Sequence, residues 1–244
     1  IVGPPEEAVA ELIRSRAPQS VASIVCSNQP RPIPREHTPF GQLPLPDRKV
    51  FPVEQYSHAM RSTALPYTQV VTSRGCDRHC GYCPVPKMRP AGFDPLPPER
   101  VVGEWLDLVS THGIRSIHVE DDNFLSDRAR ITAICNQLIE AGSPVAWELV
   151  NGVRVDQVDL PLLQHMAEAG CTRIVYSFEH IQADHCPAIG CTLEQATNAI
   201  HWARSADMRV GGYFIVGLPG ESLASSLLSI RYALRLGLDD ANWV

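Results

Sequence analysis

Residues 159–178 read DLPLLQHMAEAGCTRIVYSF. Asp159 is a helix-capping residue type, and Gly170 is the expected stop, so DLPLLQHMAEAG predicts a capped helix. RIVYSF follows at once, β-branched and aromatic, and predicts a strand. The same unit recurs in both directions along the chain. Upstream, TQVVTS is a β-rich run, and PERVVGEWLDLVSTHG has Val101, Val102, Trp105, Leu106 and Val109 at helical spacing, opening on prolines and closing on Gly113. SIHVE predicts a strand, RARITAICNQLIEAG a helix ending at Gly142, and AWELV a strand. Downstream, TLEQATNAIHWARSA carries Thr192 and Gln195 in capping-box register, RVGGYFIVG is strand-like, ESLASSLLSIRYALRLG helical, and ANWV the start of a further strand. Strand and helix alternate five times, which calls for parallel strands joined by crossover helices. Periodicity alone leaves two windings open, a full or partial barrel and a doubly wound sheet. Ending inside a strand leaves an edge to be covered, and the expectation is a segment of a longer protein.

The chain of 244 residues is 44% hydrophobic and 20% charged, with a formal net charge of -6 and a pI near 5.8. These are the proportions of a soluble globular protein with room for a large core. The negative balance argues against a nucleic-acid partner recruited by bulk electrostatics. There is no signal-peptide pattern and no apolar run long enough for a membrane span, so a cytoplasmic location and no membrane partner are expected. Eight cysteines in such a chain read as reduced thiols or metal ligands. Ahead of the repeating units, Glu6–Arg16 predicts an amphipathic helix, and the prolines at 30, 32, 34, 39, 44 and 46 predict an extended linker. The expected organisation is residues 1–16 as the remnant of an N-terminal domain, 17–67 as linker and 68–244 as the main domain.

Polar residues collect where the strands end. The first strand runs into SRGCDRHCGYC, the second into Glu120, Asp121, Asp122 and Asn123, and the third into Asn151, Gly152 and Arg154. The fourth ends at Ser177, Glu179 and His180, and the fifth at Gly217, Pro219, Gly220 and Glu221. In parallel barrels the carboxyl ends of the strands carry the active site. The first of these loops holds Cys76, Cys80 and Cys83 in the spacing C-x-x-x-C-x-x-C. A structural zinc site wants four ligands, and His79 beside Cys80 is badly placed to be the fourth. Three thiolates on a cubane iron–sulfur cluster would leave one iron open to a ligand.

CDRHCGYC, with Tyr82 before its last cysteine, resembles the signature loop of the radical S-adenosylmethionine (SAM) superfamily. GIRSIHVEDDNF, NGVRVD, MAEAGCTRIVYSFEH and GYFIVGLPGE extend the resemblance across residues 68–244. It implies an α/β fold, a partial TIM-like barrel of about six parallel strands preceded by a helix and a Pro-rich linker. The subgroup it is most similar to carries an N-terminal cobalamin-binding domain, and IVGPPEEAVAELI and LPLPDR resemble the end of that domain and its linker. The resemblance further implies that Cys76, Cys80 and Cys83 hold a 4Fe-4S cluster whose open iron chelates SAM. Tyr82 would lie by the adenine. Glu120, Asp121 and Asp122 occupy the position of the family's motif for the methionine amine, without its Gly-Gly-Glu. Ser177 and Glu179 sit at the fourth strand end, where Glu179 would meet ribose or amine. Ile215 to Gly217 would flank adenine. Two departures stand out: His180 replaces a small residue, and IQADHCPAIGCT brings His185, Cys186 and Cys191 toward the site.

The function implied is a cobalamin-dependent methyltransferase of the radical SAM type, acting on a small-molecule or peptide substrate and fed by an electron donor. Glu179 and His180 are the catalytic candidates. Radical SAM cyclisation or oxidation is the alternative enzyme reading. A methylthiotransferase is disfavoured because Cys26 is the one cysteine upstream of the signature. A zinc-binding scaffold without catalysis is the reading of a different class. Cys135 and Cys171 are expected to be packing residues, as are Trp105, Trp147 and Trp202; His118 is expected to be structural.

Overall fold

The computed structural model describes residues 5–15, 38–50, 64–89, 92–142, 145–179, 191–218 and 220–244. Helix α1 spans Pro5–Ser15, matching the expected amphipathic helix. Strand β1 (Tyr67–Val70) is followed by β2 (Ser73–Arg74), the cysteine loop, the single-turn α2 (Val85–Met88) and β3 (Asp94–Pro95). Then come α3 (Pro98–His112), β4 (Ser116–Val119), α4 (Arg128–Glu140), β5 (Ala146–Val153), α5 (Leu160–Glu168) and β6 (Cys171–Glu179). The chain continues through α6 (Leu193–Ser205), β7 (Arg209–Phe214) and α7 (Leu223–Arg235) to β8 (Asp240–Trp243).

Six strands form one sheet in the order β1-β4-β5-β6-β7-β8, and every neighbouring pair is parallel. This order decides between the two windings. A doubly wound sheet reverses direction at a switch point, whereas here each strand lies beside the next one in the chain. Right-handed crossovers that never reverse put every helix on one face and leave the other face to line an interior. The buried side chains divide accordingly. Trp147 and Leu149 of β5, Ile174, Tyr176 and Phe178 of β6, and Val210 and Phe214 of β7 meet the helix layer. Trp105 of α3 and Phe124 pack against Trp147 with ring centroids 5.6 and 5.8 Å away. The alternate residues point the other way, and among them are the polar and charged side chains of His118, Glu148, Arg173 and Asp240. There Arg173 pairs with Asp240 at 2.8 Å and with Glu148 at 3.5 Å, and His118 approaches Glu148 at 3.7 Å. This buried charge cluster ties β4, β5, β6 and β8 together.

The local signals act as expected. Asp159 accepts from the Leu162 N–H at 2.9 Å and caps α5. Thr192 and Gln195 close a capping box on α6. Gly113 ends α3 in the left-handed conformation that its missing Cβ permits. Three details differ from the sequence reading. The strand expected over 68–73 breaks after Val70, and Ser73–Arg74 pairs antiparallel with Asp94–Pro95. The cause is a side chain: Asp121 takes the Thr72 N–H that a continuing ladder would need. β5 runs on to Val153, so Asn151 and Gly152 lie within the strand. Between 38 and 50 the linker makes two short 3-10 turns, Phe40–Gln42 and Arg48–Val50. It lies along α3, where Arg100 donates to the Gly41 and Leu43 carbonyls and Arg48 pairs with Glu104 at 3.1 Å. The rest of residues 17–63 lies outside the described residues.

Candidate active site

The cysteine loop sits at the carboxyl ends of the strands, and the segment after β4 holds it there. Asp121 is 3% exposed and accepts from the Thr72 N–H, the Thr72 hydroxyl and the Ser73 hydroxyl at 2.5–2.6 Å. Burial pushes its carboxyl up, and these donors together with Arg130 pull it back. Arg130 reaches from α4 to the Thr72 carbonyl and hydroxyl and to the Leu96 carbonyl, all at 2.9 Å. Asp122 accepts from the Gly75 N–H at 2.7 Å. Gly75 has φ +77°, and a Cβ there would run into the Gly92 carbonyl, so the turn into Cys76 requires glycine.

Cys76, Cys80 and Cys83 are half-buried free thiols. The Cys76 sulfur accepts from the Arg78 N–H and from Asn123 Nδ2, both at 3.4 Å. Burial raises the Cys76 thiol, while these two donors act against the rise. Among the described residues no three His, Cys, Asp or Glu side chains converge as ligands of one metal ion would. A cluster binds each thiolate to a different iron, so its ligands need not converge on a point. Three reduced sulfurs on one loop, with N–H donors aimed at one of them, fit that group, and among the described residues they form no four-ligand zinc site.

Facing the loop is the end of β6. The Tyr82 hydroxyl donates to Glu179 Oε1 at 2.9 Å, tying the residue before Cys83 to the barrel. Glu179 has φ +54°, an uncommon backbone for a non-glycine residue. It is 8% exposed, and burial pushes its carboxyl up, against the hydrogen bonds from Tyr82 and Ser177 and the charge of Arg154. Burial and the neighbouring Glu179 likewise push the Tyr82 hydroxyl up. Gly152 makes room for Ser177, because a Cβ at Gly152 would overlap the Ser177 hydroxyl. Glu120 accepts from Gln69 at 2.9 Å, and burial raises its carboxyl as well. Ile215 donates its N–H to the Glu179 carbonyl at 2.8 Å. The N–H groups of Gly217 and Leu218 are gathered by Glu221 at 2.6 and 3.0 Å.

The expected residues therefore fall into two groups. Tyr82, Ser177 and Glu179 are joined by hydrogen bonds, and Ile215 is bonded to the same strand end. Asp121 spends both oxygens, and Asp122 one, on the backbone and hydroxyls of residues 72–75. His180, His185 and Cys186 lie outside the described residues. Cys191 is buried and raised to about 11 by burial, near Arg154, Asp156 and Glu179. Cys135 is buried and pushed up to about 12, and Cys171 is raised too, as packing thiols should be. The sequence reading passed over Asp156. It holds Arg154 at 2.9 Å and approaches Arg78 of the cysteine loop at 3.6 Å. The alternating charges of RVD following NGV were the available signal.

A three-cysteine loop over the mouth of a parallel partial barrel defines the class of protein. The Radical SAM superfamily profile matches residues 70–228, and the chain belongs to that family. It is 30% identical over 219 residues to cytidylyl-2-hydroxyethylphosphonate methyltransferase of Streptomyces wedmorensis, covering 84% of this chain and 40% of that protein. It is 25% identical over 221 residues to an uncharacterized methyltransferase of Pyrococcus horikoshii, covering 90% of this chain and 46% of that protein. The chain thus spans less than half the length of these relatives. The fold is similar to that of the radical SAM methyltransferase TsrM from Kitasatospora setae. With tryptophan substrate and a SAM analog bound, that structure matches at TM-score 0.75 and 14% identity, over all of this chain and 50% of that one. With cobalamin and a 4Fe-4S cluster bound, it matches at TM-score 0.65 and 16% identity, over 72% of this chain and 36% of that one.

Proposed function

We propose that this chain is the catalytic barrel of a cobalamin-dependent radical SAM methyltransferase. The observation that carries the proposal is the loop of Cys76, Cys80 and Cys83, three thiols with no fourth metal ligand beside them among the described residues, anchored at the strand ends. These residues would hold the 4Fe-4S cluster. When bound, that group supplies one electron at low potential and an open iron for the amino and carboxylate groups of SAM. Methyl transfer is supported by the methyltransferases among the relatives, and cobalamin by the TsrM structure that contains it.

The chain's own residues would bind and orient. Glu179, which accepts from Tyr82 and Ser177, would present its carboxylate to a ligand hydroxyl or ammonium. Arg154, steadied by Asp156, brings positive charge to the same mouth. Glu120 adds a partly buried carboxylate on the β4 side. The segment of Ile215 and Gly217, bonded to the same strand end, would offer backbone and an apolar side chain to a flat base. The substrate, small molecule or peptide, and the electron donor belong to this proposal. Among the described residues no helix is long and apolar enough to cross a membrane.

The test is anaerobic reconstitution with iron and sulfide, followed by SAM, hydroxocobalamin and a one-electron reductant. The expected result is a brown protein that forms 5′-deoxyadenosine, S-adenosylhomocysteine or both, with Cys80→Ala losing cluster and products together. A colourless zinc protein that leaves SAM intact would overturn the proposal.

A further inference from the structure

We infer that Asn123 tunes the reduction potential of the cluster through Cys76, an inference that rests on the cluster reading above. Asn123 lies in the segment after β4 and is 8% exposed. Its side-chain amide carries two N–H bonds. Nδ2 stands 3.4 Å from the Cys76 sulfur and 3.2 Å from Asp77 Oδ1. It therefore donates toward both the ligand sulfur and the carboxylate of the next residue, and that Asp77 oxygen itself stands 3.9 Å from the Cys76 sulfur. Ser126 supports the arrangement by donating to the same Asp77 oxygen at 2.9 Å. The Arg78 N–H completes a pair of donors on the sulfur. Among the described residues, Cys76 is the one cysteine of the three whose sulfur receives hydrogen bonds.

The electrostatics give the direction. Reducing a cluster adds negative charge, part of which resides on the thiolate sulfurs. An N–H aimed at a sulfur stabilises the reduced form more than the oxidised one and raises the potential. A carboxylate in the same place does the reverse. Asn123 supplies the favourable donor to the sulfur and also donates to the Asp77 carboxylate beside it, offsetting part of that negative charge.

Asn123→Ala removes the donor. Asn123→Asp keeps the size and replaces the donor by a carboxylate. Each reconstituted protein is assayed for iron and sulfide, and its midpoint is read by a mediator titration followed by electron paramagnetic resonance. The expected order of potentials is unaltered protein, then Asn123→Ala, then Asn123→Asp. The last should be at least tenfold harder to reduce, which is about 59 mV for a one-electron couple. Should the alanine protein fail to fold, the near-isosteric aspartate variant decides alone. Equal potentials would overturn the inference. So would a folded Asn123→Asp protein without a cluster, since the side chain would then serve assembly. An unaltered protein that binds no cluster would instead remove the reading on which the inference rests.

Discussion

At Glu179 a carboxyl is buried at a strand end beside the cysteine loop. The carboxyl is 8% exposed at a strand end, and burial outweighs the donors around it. Its folded-state pKa is therefore above the unfolded one. The folded protein binds the proton more tightly, so this group's contribution to stability is full at low pH and is lost as pH rises through the raised value. Glu179→Gln keeps an acceptor for Tyr82 and removes the charge. In metal-free protein the variant should be more stable than the parent at pH 7 and equal to it near pH 4, read by urea melts at both values. A variant less stable at pH 7 would mean that the ion is held better than the burial implies.

Between strands, the decisive contact is the approach of β5 to β6. Their register shifts between Leu149 and Val153, and that of β6 with β7 shifts between Ser177 and Glu179. Gly152 lies at this irregular crossing with the Ser177 hydroxyl in the space of its missing Cβ. Gly152→Ala should cost about 1–3 kcal/mol by overpacking. Ser177→Ala in the same chain should recover much of the loss, because the hydroxyl is the group displaced. Denaturant midpoints of the two single variants and the double variant check this. Additive losses would show that the two side chains do not meet.

Across the whole molecule, the buried charges in the barrel interior link strands far apart in the chain. Asp240 of β8 holds Arg173 of β6 through both of its oxygens, at 2.8 and 3.0 Å. Removing one partner leaves a buried guanidinium short of its counter-charge. Asp240→Ala should destabilise the fold by about 3–5 kcal/mol, measured by urea or thermal unfolding. Replacing Arg173 and Asp240 together by apolar residues should cost less than the single change. If the single change is silent, the cluster does not hold β8.

The residues themselves determined the repeat, the capped helices and the cysteine spacing, because these depend on neighbours within a few positions. Asp159, Thr192 and the run RIVYSF act through bonds and packing local to their own elements. Strand order needed the tertiary structure, since periodicity is the same for both windings and the order of pairing separates them. The candidate site divides in the same way. Cys76, Cys80 and Cys83 are legible as a set because they share one loop. Asn123 with Cys76, Tyr82 with Glu179, and Gly152 with Ser177 are brought together by separate strand ends. The roles of Asp121 and Asp122 illustrate the limit. Two adjacent carboxylates at a strand end look the same in sequence whether they face a ligand or a loop. The direction of their oxygens, toward Thr72, Ser73 and Gly75, is a property of the folded chain.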